Sequence, residues 1–174
     1  MKDTIMTLPS PDAARPVGYH IDAPAENLLF SVFRCWMAGY ATGDAACWDI
    51  AWEGLAREMP EENAKPLFGE FHHFVRTLRA TADTEIGWRP AACRALCRDE
   101  CLVLAMVDAA QRDDRAQLLH AASHLLKSDG LHRALDATTA LAKALARVGL
   151  FIAPVSPCAL DTMTRMKPPS ATAH

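Results

Sequence analysis

A nearly uncharged apolar segment in the middle of the chain constrains the fold more than any other feature. Between Cys101 and Ala110 the only charged residue is Asp108, so the segment has almost none of the polar face that a surface helix shows every third or fourth position. It is too short to cross a bilayer, which takes about 20 apolar residues. Because Leu, Ala and Met favour helix, the segment predicts a central helix, near residues 98–112, covered by other helices on most sides.

The charges that flank this segment fit the two ends of a helix. Asp99 and Glu100 fall in its first turn, where negative charge stabilises the positive end of the helix dipole, and Arg112 falls at the opposite end. Asp113 or Asp114 can then cap a following helix. We expect the two helices to form an antiparallel hairpin.

Apolar residues at a helical period of 3.6 predict further helices on both sides of the centre. The first covers about residues 25–40, and Asp44 caps the second. The third begins between Glu61 and Pro66 and ends near residue 80. Two more follow the central helix, one at about 114–127 and one from Ser128 or Asp129 to about 148. No segment alternates as a half-buried strand does. The prediction is an all-α, single-domain bundle of about six helices over residues 25–153. An extended arm at 1–24, packed through Tyr19 and Ile21, and a flexible tail at 154–174 complete the chain.

Composition excludes several classes of function. The chain has 174 residues, 51% of them hydrophobic, and a net charge of −3, which indicates a globular protein and argues against nucleic-acid binding. The first residues lack the apolar core of a signal peptide, and no segment could span a membrane. We therefore expect a cytoplasmic protein, in which the six cysteines are free thiols rather than disulfides.

Several short motifs lie in an order that resembles a known group of proteins. They are Trp36 with Gly43-Asp44, then Cys93, Asp99-Glu100, the apolar run Leu102 to Val107, Ala109-Ala110 and Asp114-Arg115. Over about residues 27–152 the chain resembles small uncharacterised bacterial all-helical proteins. It departs from them at the spacing of its cysteines and in having His120 and His124. The resemblance implies a helical fold and carries no activity, so it supplies no catalytic residues.

Three cysteines at the start of the central helix, Cys93, Cys97 and Cys101, are candidate metal or redox groups. On one continuous helix they would share a face, but the outer two would be about 12 Å apart, too far for thiolates of a single zinc ion. Only a neighbouring pair could share a metal, unless Cys93 lies in the preceding loop. The favoured alternative is that Cys101 belongs to the core and the other two are partly buried thiols.

His120 and His124 are one helical turn apart and therefore point the same way, with a spacing that suits a metal. In the predicted hairpin Glu100 or Cys101 could stand beside His124. The favoured alternative places both histidines on the side of their helix opposite Leu118, Ala122 and Leu125, and therefore in solvent. No H-E-x-x-H motif surrounds them. No cofactor is predicted, and zinc or iron would be the metal if one binds.

A ferritin-like di-iron site would need Glu-x-x-His on two helices and a lone Glu on two others. The nearest matches are Glu70 with His73, the degraded pair Asp129 with His132, and the lone Glu26 and Glu100. We reject this interpretation because three of the carboxylates fall in first turns, where they serve the helix dipole.

Two further groups are candidates for contacts with a ligand or partner. The loop before the central helix carries Trp88, Arg89, Arg94 and Arg98 and could bind an anion or a protein, since Arg and Trp often carry binding energy at interfaces. The first helix, with Trp36, has more apolar surface than one neighbour would cover. That surplus predicts a homodimer or another protein partner.

The sequence alone does not define a function, and no nucleotide-binding glycine loop or nucleophile elbow is present. The preferred hypothesis is a non-enzymatic cytoplasmic protein that acts through protein contacts, as a homodimer, without nucleic-acid or membrane partners. One alternative is a small metal-binding or thiol-redox protein that uses the cysteines and the histidine pair. The other is a binder of anions at the loop of Trp88, Arg94 and Arg98.

Overall fold

The computed structural model describes residues 21–167, which form an all-α fold of seven helices. The all-α prediction is confirmed, with seven helices in place of about six. Within these residues no β-strand forms, and a single isolated bridge joins Ala82 to Leu126. The helices are α1 (Pro24–Thr42), α2 (Ala46–Glu58), α3 (Glu61–Thr81), α4 (Arg98–Gln111), α5 (Arg115–Ser123), α6 (Leu131–Arg147) and α7 (Pro157–Arg165).

The helices pack as two groups around one continuous apolar core. In the first group α1, α2 and α3 pack against one another, and in the second α4 packs against α5, α6 and α7. The extensive contact between α3 and α6 joins the two groups. The core therefore runs through both groups without a break.

The predicted central helix is confirmed as α4, in which every residue from Asp99 to Ala110 is buried. Neighbouring helices exclude water from almost its whole circumference, which is why its sequence shows no polar face. Of the two predicted caps for the following helix, Asp114 is the one used, because its side chain accepts the N–H of Gln117 at 3.0 Å. Asp113 instead forms the turn, with a φ of 55°.

Helix α5 is shorter than its apolar pattern predicts and ends at Ser123 rather than near Lys127. The residues beyond it bond to the end of α3 instead of continuing the helix. The carbonyl of Leu125 accepts the N–H of Asp83, and the N–H of Lys127 donates to the carbonyl of Thr81, both at 2.9 Å. Tertiary hydrogen bonds thus replace the last helical turn.

A short helix, α7, lies in the segment for which the sequence predicts a flexible tail. Ser156 caps it by accepting the N–H of Ala159 at 3.1 Å, and Pro157 occupies its first turn. Its side chains Ala159, Leu160 and Met163 are buried in the core. Nine residues give barely two turns of periodicity, too few to predict the helix, and this corrects the expected tail for 157–165. Residues 168–174 lie outside the described part.

The first described residue, Ile21, is hydrogen-bonded to the loop before α4. Ile21 is buried, as predicted, and its N–H donates to the carbonyl of Arg94 at 2.9 Å. The rest of the predicted arm, including Tyr19, lies outside the described residues. Among the helices of residues 21–167, none is both long and apolar enough to cross a membrane.

Candidate docking surface

A buried ion pair connects the two helix groups. Arg34 of α1 and Glu100 of α4 meet through two hydrogen bonds, Nε to Oε1 at 2.6 Å and Nη2 to Oε2 at 3.0 Å. Their side chains are 2% and 0% exposed. Two buried charges are tolerated only when each is neutralised and its hydrogen-bonding atoms are used, so this pair fixes how α1 meets the start of α4.

The same two side chains organise the loop that precedes α4. The guanidinium of Arg34 also donates to the carbonyls of Pro90, Cys93 and Ala95. The Glu100 carboxylate accepts the N–H groups of Arg89 and Cys97. Loop backbone that would otherwise be buried without partners is therefore satisfied by one cation and one anion.

The basic side chains predicted to bind a ligand in this loop already face carboxylates. Arg94 pairs with Asp22 at 2.9 Å in an exposed contact, and Arg98 pairs with Asp99 at 3.0 Å. Trp88 packs, partly buried, against the core. The pair of Arg94 with Asp22 joins the loop to the segment before α1, the pair of Arg98 with Asp99 lies within α4, and the predicted anion-binding role stays untested.

The three candidate cysteines do not share a site. Cys93 lies in the loop, Cys97 immediately before α4 and Cys101 inside α4, and all are free thiols. Burial, reinforced by the nearby Glu100 carboxylate, raises the pKa of Cys97 to about 12, and burial followed by the repulsion from Cys97 raises the pKa of Cys101 to about 12. Thiols that hold their protons so tightly are poor nucleophiles.

The two candidate histidines do lie together, but with a different neighbour from the predicted one. Their rings are 5.1 Å apart at an angle of 82°, and both side chains are exposed, as expected. Glu100 binds Arg34 and Cys101 is buried in the core, so neither stands beside His124. The nearby carboxylate is Asp161 of α7, 3.7 Å from His120. Across residues 21–167, no three or more His, Cys, Asp or Glu side chains form a ready-made metal site.

Trp36 lies inside the protein rather than on a face open to a partner. It is 4% exposed and stacks parallel on His72 of α3 at 4.6 Å. Trp48 of α2 and Phe68 of α3 also contact its ring, at 5.2 and 5.1 Å. The apolar surplus predicted for this flank of the first helix is therefore covered by α2 and α3, which corrects the placement of Trp36 at an interface.

A groove remains open on another side of α1. It lies between α1, α2 and the turn after α6, and its volume is about 650 Å³. Leu28, Val32 and Cys35 of α1 line one side, Ile50 and Met59 the other, and Leu150 contributes at the turn. Its walls are largely apolar, as in sites that bind other apolar surfaces.

One residue that lines this groove, Ile50, has an exposed apolar side chain, and so has Phe151, which follows the lining residue Leu150 in the chain. Ile50 is 56% exposed, and Phe151, directly after Leu150, is 63% exposed. Helix α2 buries only Ala51 and Leu55, so most of its surface faces solvent. We call the groove together with Ile50 and Phe151 the docking face.

Two charged residues line one end of the docking face. Arg57 and Glu58, at the end of α2, are both exposed. Neither forms an ion pair with another residue in the described range, and Arg57 only donates to the carbonyl of Glu53 at 3.3 Å. Both charges are therefore available to a partner.

The docking face is not evident in the sequence because its exposed residues lie outside the predicted stripes. The helical period predicts an apolar stripe of Cys47, Trp48, Ala51, Trp52 and Leu55 along α2, of which Ala51 and Leu55 are buried and the others partly buried. Ile50 is a single apolar residue on the opposite side. Phe151 follows the end of α6 and belongs to no helix. Single apolar residues are common on protein surfaces, so no sequence pattern distinguishes Ile50 and Phe151.

Comparison with the profiles of known protein families, with curated proteins and with solved structures found no match to this chain. The resemblance to bacterial helical proteins therefore stays a prediction. Any proposal about function has to be based on the described residues themselves.

Proposed function

We propose that this chain is a non-enzymatic helical protein that acts through protein contacts, and that its partner is a second copy bound at the docking face. The observation that carries the proposal is the exposure of Ile50 and Phe151 beside an apolar groove. Removing apolar surface from water contributes about 25 cal/mol per Å². Clustered apolar surface on a folded protein is typical of an interaction site.

Shape favours a second copy as the partner. The docking face combines a groove of about 650 Å³ with an exposed ring, Phe151, which follows the groove residue Leu150 in the chain. In a two-fold symmetric dimer the same face meets itself, so that each copy gives and receives the same contact. Phe151 of each copy can therefore enter the groove of the other.

Charge favours the same partner. A two-fold axis places the end of α2 against its counterpart, so Arg57 of one copy can face Glu58 of the other. The contact of Phe151 with the groove and the contact of Arg57 with Glu58 then each form twice, once on either side of the axis. The face is thus complementary to itself in charge as well as in shape.

The buried polar side chains hydrogen-bond within the fold, and this supports the non-enzymatic part of the proposal. Arg34 and Glu100 bind each other and the loop. Asp108 accepts from Arg112 at 2.9 Å and from the N–H of Val155 at 2.8 Å. General acids and bases need free hydrogen-bonding capacity toward a substrate, whereas these side chains form their hydrogen bonds with other parts of the protein.

The free state of all six cysteines supports a reducing compartment, which is part of the proposal. Free thiols persist in the cytoplasm, whereas oxidising compartments favour disulfides. We therefore propose a cytoplasmic protein.

Light scattering after gel filtration, at micromolar concentration, tests the proposal. The wild type should give the mass of a dimer, and Ile50→Glu or Phe151→Glu should give a monomer with an unchanged helical circular dichroism spectrum. Leu119→Glu is the matched control, because Leu119 is also exposed, at 44%, but lies on α5. A monomeric wild type, or a Leu119→Glu variant that dissociates equally, would contradict the proposal.

A charge exchange tests the symmetry. Arg57→Glu should place like charges across the two-fold axis and weaken the dimer, and so should Glu58→Arg. The double variant should restore association because opposite charges face each other again. Failure of the double variant to recover would show that these two side chains do not meet.

A further inference from the structure

We propose that His120 and His124 bind a divalent transition-metal ion of the zinc class, with Asp161 as the third protein group, and that the ion links α5 to α7. The proposal goes beyond the proposed function, because none of these residues lies on the docking face. The three groups come from the end of α5 and from α7.

The backbone presents the two imidazoles side by side. His120 lies in the last turn of α5, and His124, the residue after the helix, still has helical angles of φ −87° and ψ −8°. Residues one turn apart on a helix face the same way, and the ring centres are 5.1 Å apart. Two imidazoles at this spacing are a recurrent chelate for zinc, copper and nickel.

Asp161 supplies the oxygen that this pair lacks. Its Oδ1 is 3.7 Å from Nε2 of His120, close to the separation of about 3.3 Å between two ligand atoms of a tetrahedral zinc ion with bonds of about 2.0 Å. The contact is too long for a hydrogen bond, so neither group is committed to the other. The carboxylate can bind the ion directly or orient the His120 ring.

Small rotations complete the site. As the side chains lie, the described residues contain no converged set of three ligands, so binding requires the exposed rings and carboxylate to turn. His120 and Asp161 are 48% and 60% exposed, and exposed side chains change rotamer easily. Water would fill the remaining positions, as it does in open zinc sites.

One basic group lies close to the two imidazoles, because Nη2 of Arg98 donates to the carbonyl of His124 at 3.4 Å. The Arg98 guanidinium would repel a cation, but it is paired with Asp99 at 3.0 Å. Asp161 adds the negative charge that faces the ion.

Another histidine of the chain provides a matched control. His132 of α6 lies 3.1 Å from Asp136, so it offers the same imidazole–carboxylate pair without a second histidine. If a chelate of two imidazoles is what holds the ion, His132 should contribute nothing to binding.

Isothermal titration of the untagged full-length protein with zinc chloride tests the site. We expect one ion per chain. We expect His120→Ala and His124→Ala each to weaken binding at least about 10-fold, and Asp161→Asn by about 10-fold, the loss typical of a group that supports a metal ligand. His132→Ala should bind as the wild type does.

Two further readouts separate this site from the thiols and from a merely structural effect. Cobalt(II) should bind without a thiolate charge-transfer band, and at equal zinc concentration the melting temperature of the wild type should rise more than that of Asp161→Asn. No zinc binding by the wild type, unchanged binding by His120→Ala and His124→Ala, or a thiolate band would each overturn the proposal.

Discussion

Helices α4 and α2 have similar lengths, 14 and 13 residues, but opposite relations to water. In α4 every residue from Asp99 to Ala110 is buried, whereas α2 buries only Ala51 and Leu55. Helix α4 packs against three helices of its own group, and α2 lies at the edge against α1 and α3. Helix α4 therefore contributes more buried side chains to the core than α2, whose exposed side belongs to the docking face that we propose.

The difference also governs how each helix handles charge. Asp99, Glu100 and Asp108 of α4 are buried, and each accepts hydrogen bonds from the chain around it. Arg57 and Glu58 of α2 remain exposed. A buried charge must be paired, whereas water satisfies an exposed one at little cost. Charges in α4 therefore fix tertiary contacts, and charges in α2 stay available for binding.

Breaking the ion pair of α4 should have the largest effect. Arg34→Met leaves Glu100 buried without its cation, and we expect the free energy of unfolding to fall by about 3–5 kcal/mol. Urea denaturation followed by circular dichroism measures it. Arg94→Met is the control, since its pair with Asp22 is 74% exposed on both sides and should contribute less than about 1 kcal/mol.

The double variant Arg34→Met with Glu100→Met sharpens this prediction. Replacing both buried charges by apolar groups removes the unpaired carboxylate, so much of the lost stability should return. If the single and double variants are equally unstable, the carbonyls of the loop, rather than Glu100, are what Arg34 mainly stabilises.

The next largest difference in stability should be between truncation of a leucine in α4 and truncation of an isoleucine in α2. Leu104 is completely buried, so Leu104→Ala leaves a cavity and should cost about 2–5 kcal/mol. Ile50→Ala removes an exposed side chain and should change stability by less than about 0.5 kcal/mol. Urea midpoints compare the two at a protein concentration where the chain is monomeric. Equal losses would contradict the contrast between the helices.

Two helical glycines should respond to alanine with opposite signs. A Cβ at Gly39 of α1 would lie 2.2 Å from Nε1 of Trp48, so Gly39→Ala should force α1 and α2 apart and cost about 1–3 kcal/mol. Gly54 of α2 has no atom within 4 Å of such a Cβ. Gly54→Ala should stabilise the helix by about 0.5–1 kcal/mol. Melting temperatures of the two variants check the signs.

The smallest expected difference is in the reactivity of the cysteine thiols of the two helices toward alkylation, and it involves no change in stability. Because burial raises the pKa of Cys101 to about 12, almost no thiolate exists at pH 8, and alkylation of native protein should leave this cysteine of α4 untouched. Cys47 of α2 is partly exposed and Cys158 is exposed, so both should react first. Mass spectrometry of the alkylated peptides gives the order. Early labelling of Cys101 would show that α4 opens readily.

The sequence predicted the centre of the fold well because its signals are local. The apolar run of α4 and the stripes of α1, α3 and α6 follow from helical periodicity, and the structure confirms the helices close to those bounds. The exposed side of His120 and His124 follows from the same rule. The end of α5 was not predicted because hydrogen bonds to the end of α3 decide it, and α7 was not predicted because its nine residues give too little periodicity.

The ion pair of α1 with α4 had a signal in the sequence that the interpretation did not use. Arg34 is the only charged residue between Asn27 and Tyr40, just as Asp108 is the only one in its segment. A lone charge in an apolar helix indicates a buried partner elsewhere. The sequence predicts Glu100 at the helix dipole or beside His124, whereas in the structure it binds this arginine.

By itself, the sequence determined that this chain forms helices and that α4 is the most deeply buried of them, because periodicity and hydrophobicity act between neighbours along the chain. Only the tertiary structure decided that Arg34 meets Glu100 across 66 positions, that Asp161 approaches His120, and that a groove opens between α1, α2 and the turn after α6. Such contacts depend on how separate elements pack, and no local pattern specifies which residues are brought together.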